Sequence, residues 1–531
     1  MSDYKGVVYT KEWVVNLMLD IAGYTTDKKL YEQVIVEPSC GHGSFLKSIV
    51  KRLLLTASEH NKLSKEIIIK CIRSFDLDPK AVEICRNMIE KELLSFGISS
   101  LDAKQISHEW VICDDYLLYE PILADYIIGN PPYLRATEIP PNAREKYVDR
   151  LSSMTKGCDI FVGFFQKGLE SLKNKDSVLC YICADRWMQN QYGKKLRQLI
   201  AGKYHIDTLI KMHDVDAFEV EVSAYPAITK IDFGEGKIKY IDCTNKFSQN
   251  SVKDLLKWLC DKSKSEHEND YFSTTLLDQP EGNSVIPISS IGVVKEINEL
   301  MERFPKLEDT GVQLGIGIAT GKDNVFIVNQ PDLVESDRML PVFNMRNWRR
   351  TGTTDNNWLI NPWEKSGELI KLDKYPKTKS YYVKHKDELI KRHVAKKNTD
   401  SWYRTIDKVN WSIYNKPMLL FPDMAMTADP VFNDGSKYPC HNCYWLISDK
   451  WDLKVLGGLL MSSTVEAFVD ALGVKMRGGT KRFQAQYLRL IHVPNPDEIS
   501  KETAQMLKKA FESGDRKLAS VAAKKAYRLE G

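Results

Sequence analysis

No window of this 531-residue chain approaches 18 uninterrupted apolar residues, so the sequence offers no membrane-spanning helix. Its first residues, MSDYKGVVYTKEW, lack the apolar run of a secretory signal. The expectation is a soluble, intracellular protein with no membrane partner. A disulfide framework is missing too, because the eleven cysteines are odd in number, scattered from Cys40 to Cys443, and several sit inside apolar runs. Such thiols suit a reducing compartment, the cytoplasm. No repeat recurs at the roughly 20–50-residue periods of solenoids. Net charge is only +4, and 29 Gly, 21 Pro and 27% charged residues exclude disordered and collagen-like classes. At roughly 150 residues per domain, the length implies two to four folded units.

What charge there is lies unevenly. Residues 1–300 hold 38 lysines and arginines against 43 acidic residues, whereas 301–531 hold 37 against 28. The second half is the one suited to a polyanion. The first half alternates apolar strands, expected at 33–37, 68–76, 108–113, 124–129, 177–184, 206–213 and 225–232, with helical spacing at 44–56, 80–95, 159–173 and 189–202. That alternation predicts an α/β fold with a mostly parallel sheet, ligands binding at the carboxyl ends of its strands. The polar stretch 244–290 reads as a connection with one short helix at 251–262. Helical periodicity then returns only at 450–472 and 499–528.

Four motifs end successive strands. Glu37-Pro38-Ser39-Cys40-Gly41-His42-Gly43 follows the apolar VIV and opens a helix. Glycines at 41 and 43 fit either an ordinary tight turn or one where backbone approaches a ligand. Phe75-Asp76-Leu77-Asp78-Pro79 ends the second strand; Asp76 suits a ribose acceptor, and Asp78 before Pro79 suits a helix N-cap. Cys113-Asp114-Asp115-Tyr116 ends the third, where an aspartate could accept from an adenine amine and Tyr116 cover its ring, or the turn is simply acidic and exposed. The fourth strand runs into Asn130-Pro131-Pro132-Tyr133. Prolines at 131 and 132 fix φ and remove two donors, leaving carbonyls to accept. With the Asn130 side-chain oxygen and the Tyr133 ring, this set suits an exocyclic amine that must become a nucleophile: two acceptors for its hydrogens and a stacking face.

The order VVYTKEWV (7–14), EPSCGHGSF (37–45), FDLDP (75–79), CDDYLLYEP (113–121), IIGNPPY (127–133) and a long C-terminal region resembles the γ class of N6-adenine DNA methyltransferases, the TaqI-like enzymes. The resemblance covers roughly 7–235 closely and 310–495 loosely. It implies a Rossmann-like S-adenosylmethionine-dependent methyltransferase domain, with a mostly parallel seven-stranded sheet and one antiparallel strand, plus a mixed α+β C-terminal target-recognition domain. The implied boundaries are 1–240 catalytic, 241–300 connection, 301–497 target recognition and 498–531 a C-terminal helix. Cofactor contacts are implied at Thr10, Glu37, Ser39, Cys40, Gly41, Gly43, Asp76, Leu77, Asp115, Tyr116, Asn130 and Phe164. Asn130, Pro131, Pro132 and Tyr133 are the implied catalytic set, and Phe218, in DAFEVEVSAYPAI, the second aromatic on the target base opposite Tyr133.

The expected reaction is methyl transfer from S-adenosylmethionine to N6 of an adenine flipped out of duplex DNA, the modification step of a restriction–modification system whose endonuclease is encoded separately. Alternatives are an RNA or protein-glutamine methyltransferase, or a non-catalytic DNA-binding specificity subunit. In the basic half, Arg346, Arg349 and Arg350, and further on Arg477, Lys481 and Arg482, are the expected DNA-binding cations. Two C-x-x-C pairs, Cys180/Cys183 and Cys440/Cys443, invite a zinc reading. The first lies in an apolar strand and the second offers too few ligands, so no metal is expected.

Overall fold

The computed structural model describes residues 8–220, 222, 224–261, 265–353, 356–397, 399–474 and 480–529. The chain forms two compact units, Met1–Ile291 and Gly292–Gly531.

The first unit is built on ten strands: β1 (Ile35–Glu37), β2 (Ile72–Asp76), β3 (Val111–Cys113), β4 (Tyr126–Gly129), β5 (Val178–Ala184), β6 (His205–Lys211), β7 (Pro226–Asp232), β8 (Ile238–Cys243), β9 (His267–Glu268) and β10 (Phe272–Leu277). They form one sheet in the order β3–β2–β1–β4–β5–β7–β6–β8–β10–β9. Neighbours are parallel from β3 to β5, and β7 runs antiparallel to both β5 and β6. All seven expected strands therefore form. The sheet nevertheless has ten strands, not seven: β8 joins β6 in parallel, and β10 pairs antiparallel with β8 and β9. Part of the stretch read as a connection is thus sheet edge. The pairings of β8 with β6 and with β10 join segments about 30 residues apart, and nothing in local composition records them. Two strands are also shorter than expected, because helices Lys65–Ile68 and Ser100–Trp110 occupy the starts of 68–76 and 108–113.

Helices follow strands as the periodicity requires. α1 is Glu12–Ala22 and α2 is Ser44–Glu59, whose Leu46, Ile49, Val50, Leu53 and Leu54 recur at helical spacing and are buried. Burying each such side chain contributes about 1.5–3 kcal/mol. Helix α3 (Lys65–Ile68) is a single turn; α4 (Pro79–Ser95) begins with proline, and Asp78 caps it by accepting from the Lys80 amide at 2.9 Å. The sheet's strand order reverses between β1 and β4, which opens a crevice at their carboxyl ends.

The second unit holds a four-stranded antiparallel sheet, a second four-stranded sheet and a two-stranded ribbon. The antiparallel sheet joins Val312–Ile316, Cys443–Ser448, Met418–Pro422 and Val431–Asn433. The ribbon pairs Met424–Ala425 with Lys481–Arg482. The expected single C-terminal helix is two, Lys501–Ser513 and Arg516–Ala526. Gly514 at φ +69° ends the first, and Asp515 caps the second by accepting from the Lys517 and Leu518 amides. Among the described residues no single helix is long and apolar enough to cross a membrane.

Candidate active site

A cleft open to solvent lies at the crevice between β1 and β4, where ligands of such sheets bind. Its floor is the turn after β1. Gly41 and Gly43 have φ of +50° and +86°, which favour glycine, and a Cβ on Gly43 would lie 2.9 Å from the Met88 methyl. The Gly41 amide donates to Asp76 Oδ2 at 2.8 Å, and Asp76 Oδ1 accepts from the Asp78 amide at 2.9 Å. Asp76 thereby joins the ends of β1 and β2 while facing the cleft.

Glu37 lies beneath this turn and is 1% exposed. Its Oε2 is buried without a hydrogen-bond partner, and burial, reinforced by Cys40 and Asp76, pushes its carboxyl well above the usual range. A cationic group is what would complete it. Thr10, Ser39, Cys40 and Leu77 line the same cleft. Leu77 is 52% exposed, an apolar side chain with little over it. On the far wall Tyr116 and Phe164 stack with centroids 5.6 Å apart. Asp115 is less free than its sequence context suggests, since Oδ1 accepts from the Leu117 amide and Oδ2 accepts the Tyr147 hydroxyl at 2.7 Å. Tyr147 lies on Pro141–Arg150, a helix that the sequence reading missed; its Pro-Pro start at 140–141 was the available signal. Tyr9 and His42, stacked at 4.7 Å, are further cleft residues it passed over.

Asn130 sits at the cleft where β4 ends. Its amide nitrogen donates to the Val8 carbonyl at 3.0 Å and to Thr10 Oγ1 at 3.2 Å, while its Oδ1 is buried with no partner. Ser39 Oγ donates to the Asn130 carbonyl at 3.0 Å. Pro132 also lines the cleft, and Pro131 is buried behind it. The segment carrying Thr10 is bridged to the one carrying Phe218: the Lys11 amide donates to Ala217 and the Glu219 amide to Tyr9. Phe218 and Tyr133 meet edge to face, centroids 6.3 Å apart and planes at 82°, rather than as two parallel walls. Burial raises the Tyr133 hydroxyl well above its usual value.

In the second unit, Arg346, Arg349 and Arg350 are exposed on the helix Met345–Thr351. Lys481 and Arg482 lie on the ribbon, and Arg349 donates to the Met424 carbonyl at 2.8 Å, so two clusters about 130 residues apart in sequence converge. Arg477 lies outside the described residues. Cys180 and Cys183 are buried in β5; Cys440 and Cys443 are buried in the other unit, where Cys443 Sγ donates to the Cys440 carbonyl at 3.1 Å.

Residues 70–218 match the Eco57I restriction-modification methylase family. Over 94% of its length the chain is 34% identical to the type II methyltransferase M.BstVI of Geobacillus stearothermophilus, covering 92% of that protein. It is 32% identical to M.XhoI of Xanthomonas vasicola over 100% of its own length and 98% of the relative's, and 35% identical to M.PaeR7I of Pseudomonas aeruginosa over 94% and 88%. Among solved structures, the type IIL restriction-modification enzyme MmeI, determined in complex with DNA, shares the fold at a TM-score of 0.56 and 13% identity, over 98% of this chain and 73% of that one. With relatives of this identity running the length of the chain, the protein belongs to the type II DNA methyltransferases of restriction–modification systems.

Proposed function

We propose that the protein methylates the N6 amine of an adenine swung out of duplex DNA, using S-adenosylmethionine. The observation that carries this reading is the Asn130 amide. A carbonyl cannot donate, so the bond to Val8 fixes which end of the amide is nitrogen, and the oxygen is left buried and unpartnered at the cleft. An exocyclic amine supplies the donor that this oxygen lacks.

The adenine amine is a poor nucleophile because its lone pair is delocalised into the ring. Asn130 Oδ1 and the Pro131 carbonyl, accepting its two hydrogens, draw the nitrogen toward tetrahedral geometry and stabilise the positive charge that develops on it. Contact of the base with the Tyr133 and Phe218 rings offsets the few kcal/mol lost on unstacking.

The cleft fits the cofactor. Glu37, with its unpartnered oxygen, would hold the methionine ammonium near Thr10, while Ser39, Cys40, Gly41 and Gly43 form the floor. Asp76 takes the ribose hydroxyls, Asp115 the adenine amine, and Leu77, Tyr116 and Phe164 enclose the ring. The bound cofactor supplies a methyl group on a sulfonium, open to in-line displacement.

The second unit is assigned target recognition, with Arg346, Arg349, Arg350, Lys481 and Arg482 facing the duplex. The eleven free cysteines suit the cytoplasm, where the modified site would be shielded from a separately encoded endonuclease. The test is incubation with S-adenosylmethionine and, in parallel, duplex DNA, RNA and a glutamine-bearing release factor, followed by mass spectrometry. N6-methyladenine in duplex DNA is expected. Methylation of cytosine, or of RNA or protein alone, overturns the assignment.

A further inference from the structure

The ribbon of the second unit is short and isolated from both four-stranded sheets, with Met424 opposite Arg482 and Ala425 opposite Lys481. Directly opposed residues project from the same face of an antiparallel pair, so Met424 and Arg482 lie side by side. Met424 is 43% exposed and Met426, two residues on, 56%. Two flexible apolar side chains thus stand open beside cations, and such side chains adapt to the surface that meets them.

Cations outnumber carboxylates around them: Asp423, whose carbonyl accepts from the Phe483 amide at 2.9 Å, is the acidic residue that adjoins the ribbon. Among the described residues no carboxylate forms an ion pair with Arg346, Arg350, Lys481 or Arg482. Arg482 is partly buried and keeps its Nε without a partner. Arg346 and Arg350 stand one helical turn apart on Met345–Thr351 and so share a face. Arg349, between them, ties that helix to the ribbon through the Met424 carbonyl. Cations and apolar side chains are thus joined on neighbouring elements.

B-DNA's major groove admits a two-stranded β-ribbon; it displays guanine O6 and N7 to arginine and the thymine methyl to apolar side chains. We propose that this ribbon is the sequence-reading element of the enzyme, with Arg482 on a guanine edge and Met424 and Met426 on thymine methyl groups, while Arg346 and Arg350 hold phosphates. The inference rests on the second unit being the target-recognition unit and divides its cations into those that read bases and those that only position.

The experiment uses the full chain, the duplex site found by sequencing DNA that the enzyme has methylated, and a scrambled duplex. Arg482→Met should lower the ratio of specific to non-specific affinity by roughly 5- to 150-fold and let methylation spread to sites altered at a guanine. Arg346→Gln and Arg350→Gln should weaken both duplexes equally and flatten the salt dependence by about one unit of slope each. As a check that does not depend on how the variant folds, 7-deazaguanine at the read position should weaken binding of the unaltered enzyme, and uracil for thymine should do the same at the methionine contacts. An unchanged affinity ratio in Arg482→Met, a recognition site lacking any G·C pair, or indifference of the unaltered enzyme to 7-deazaguanine overturns the proposal. So does a dimer dissolved by Met424→Ser and Met426→Ser with DNA discrimination intact. Failure to bind or methylate any duplex would instead sink the DNA reading of the whole protein, a separate and distinguishable result.

Discussion

The Asp185 carboxylate and the His213 imidazole meet at 2.6 Å, Oδ2 to Nε2, with side chains 6% and 5% exposed. Asp185 directly follows β5, and His213 lies just past β6 in the loop that leads to Phe218. The Tyr133 hydroxyl lies close enough to feel the charges of Asp185 and Arg186. One buried bond therefore links two strand ends beside the aromatic pair assigned to the target base. Asp185→Ala leaves the imidazole buried without its acceptor, which should cost about 1–3 kcal/mol in urea unfolding. It should also lower kcat far more than S-adenosylmethionine affinity. Asp185→Asn keeps an acceptor oxygen and should recover most of the turnover; equal losses in both variants would show that geometry at this bond does not matter.

The acceptor role proposed for Asn130 can be tested apart from cofactor capture. Asn130→Ala removes the unpartnered oxygen and should depress methyl transfer by at least about 10²-fold, the scale seen when one preorganised transition-state hydrogen bond is lost. Titration calorimetry should still show S-adenosylmethionine binding, because the turn at 41–43 and Asp76 are untouched. Near-normal turnover in this variant would refute the acceptor role. Tyr133→Ala should instead weaken capture of the base, read as a smaller fluorescence rise from 2-aminopurine at the target position.

If Glu37 holds the methionine ammonium as proposed, S-adenosylmethionine binding should depend on pH. Its carboxyl, raised by burial above the usual value near 4.5, stays protonated in the folded protein where the unfolded chain has already ionised. The folded state therefore holds the extra proton, and this group's contribution to stability is complete below about 4.5 and declines as pH rises toward the folded value. An ammonium placed beside Glu37 favours the carboxylate, so binding should release a proton and tighten with rising pH across that window. Calorimetry in buffers of different ionisation enthalpy measures the release directly. Glu37→Gln should abolish it and weaken binding roughly 10- to 100-fold, the scale of a charged hydrogen bond; proton release that persists would place the titrating group elsewhere.

The parts of this site legible in the sequence are those written in consecutive residues. Seven strands could be read because apolar β-branched runs such as Val34-Ile35-Val36 and Tyr126-Ile127-Ile128 mark buried strands, and motifs directly follow the first four. Asp78 could be read as a cap because its partner is two residues away. Tyr147 could not, since its contact with Asp115 joins segments 32 residues apart through a polar helix with one buried side chain. Nor could β10, whose register with β8 is set by edge pairing, or the meeting of Arg349 with Met424, which depends on how two loops of the second unit return to one another.

Gly43 shows how closely the turn at the cleft is tied to the fold. It caps α2 in the left-handed region at φ +86°, and any Cβ there meets the Met88 methyl at 2.9 Å and Cys85 Sγ at 3.2 Å. Gly43→Ala combines the left-handed penalty of about 1–2 kcal/mol with a clash against α4. Met88 ends in a flexible methyl that can swing aside, so the protein should fold with a lowered unfolding midpoint rather than fail to fold. The residual strain then falls on the backbone between β1 and α2, which carries the Gly41 amide bonded to Asp76. S-adenosylmethionine affinity should therefore drop in Gly43→Ala, and Met88→Ala in the same chain, by opening the space that the new methyl needs, should restore part of it. If the double variant binds no better than the single one, the clash with Met88 is not what weakens the site, and the left-handed backbone alone carries the loss.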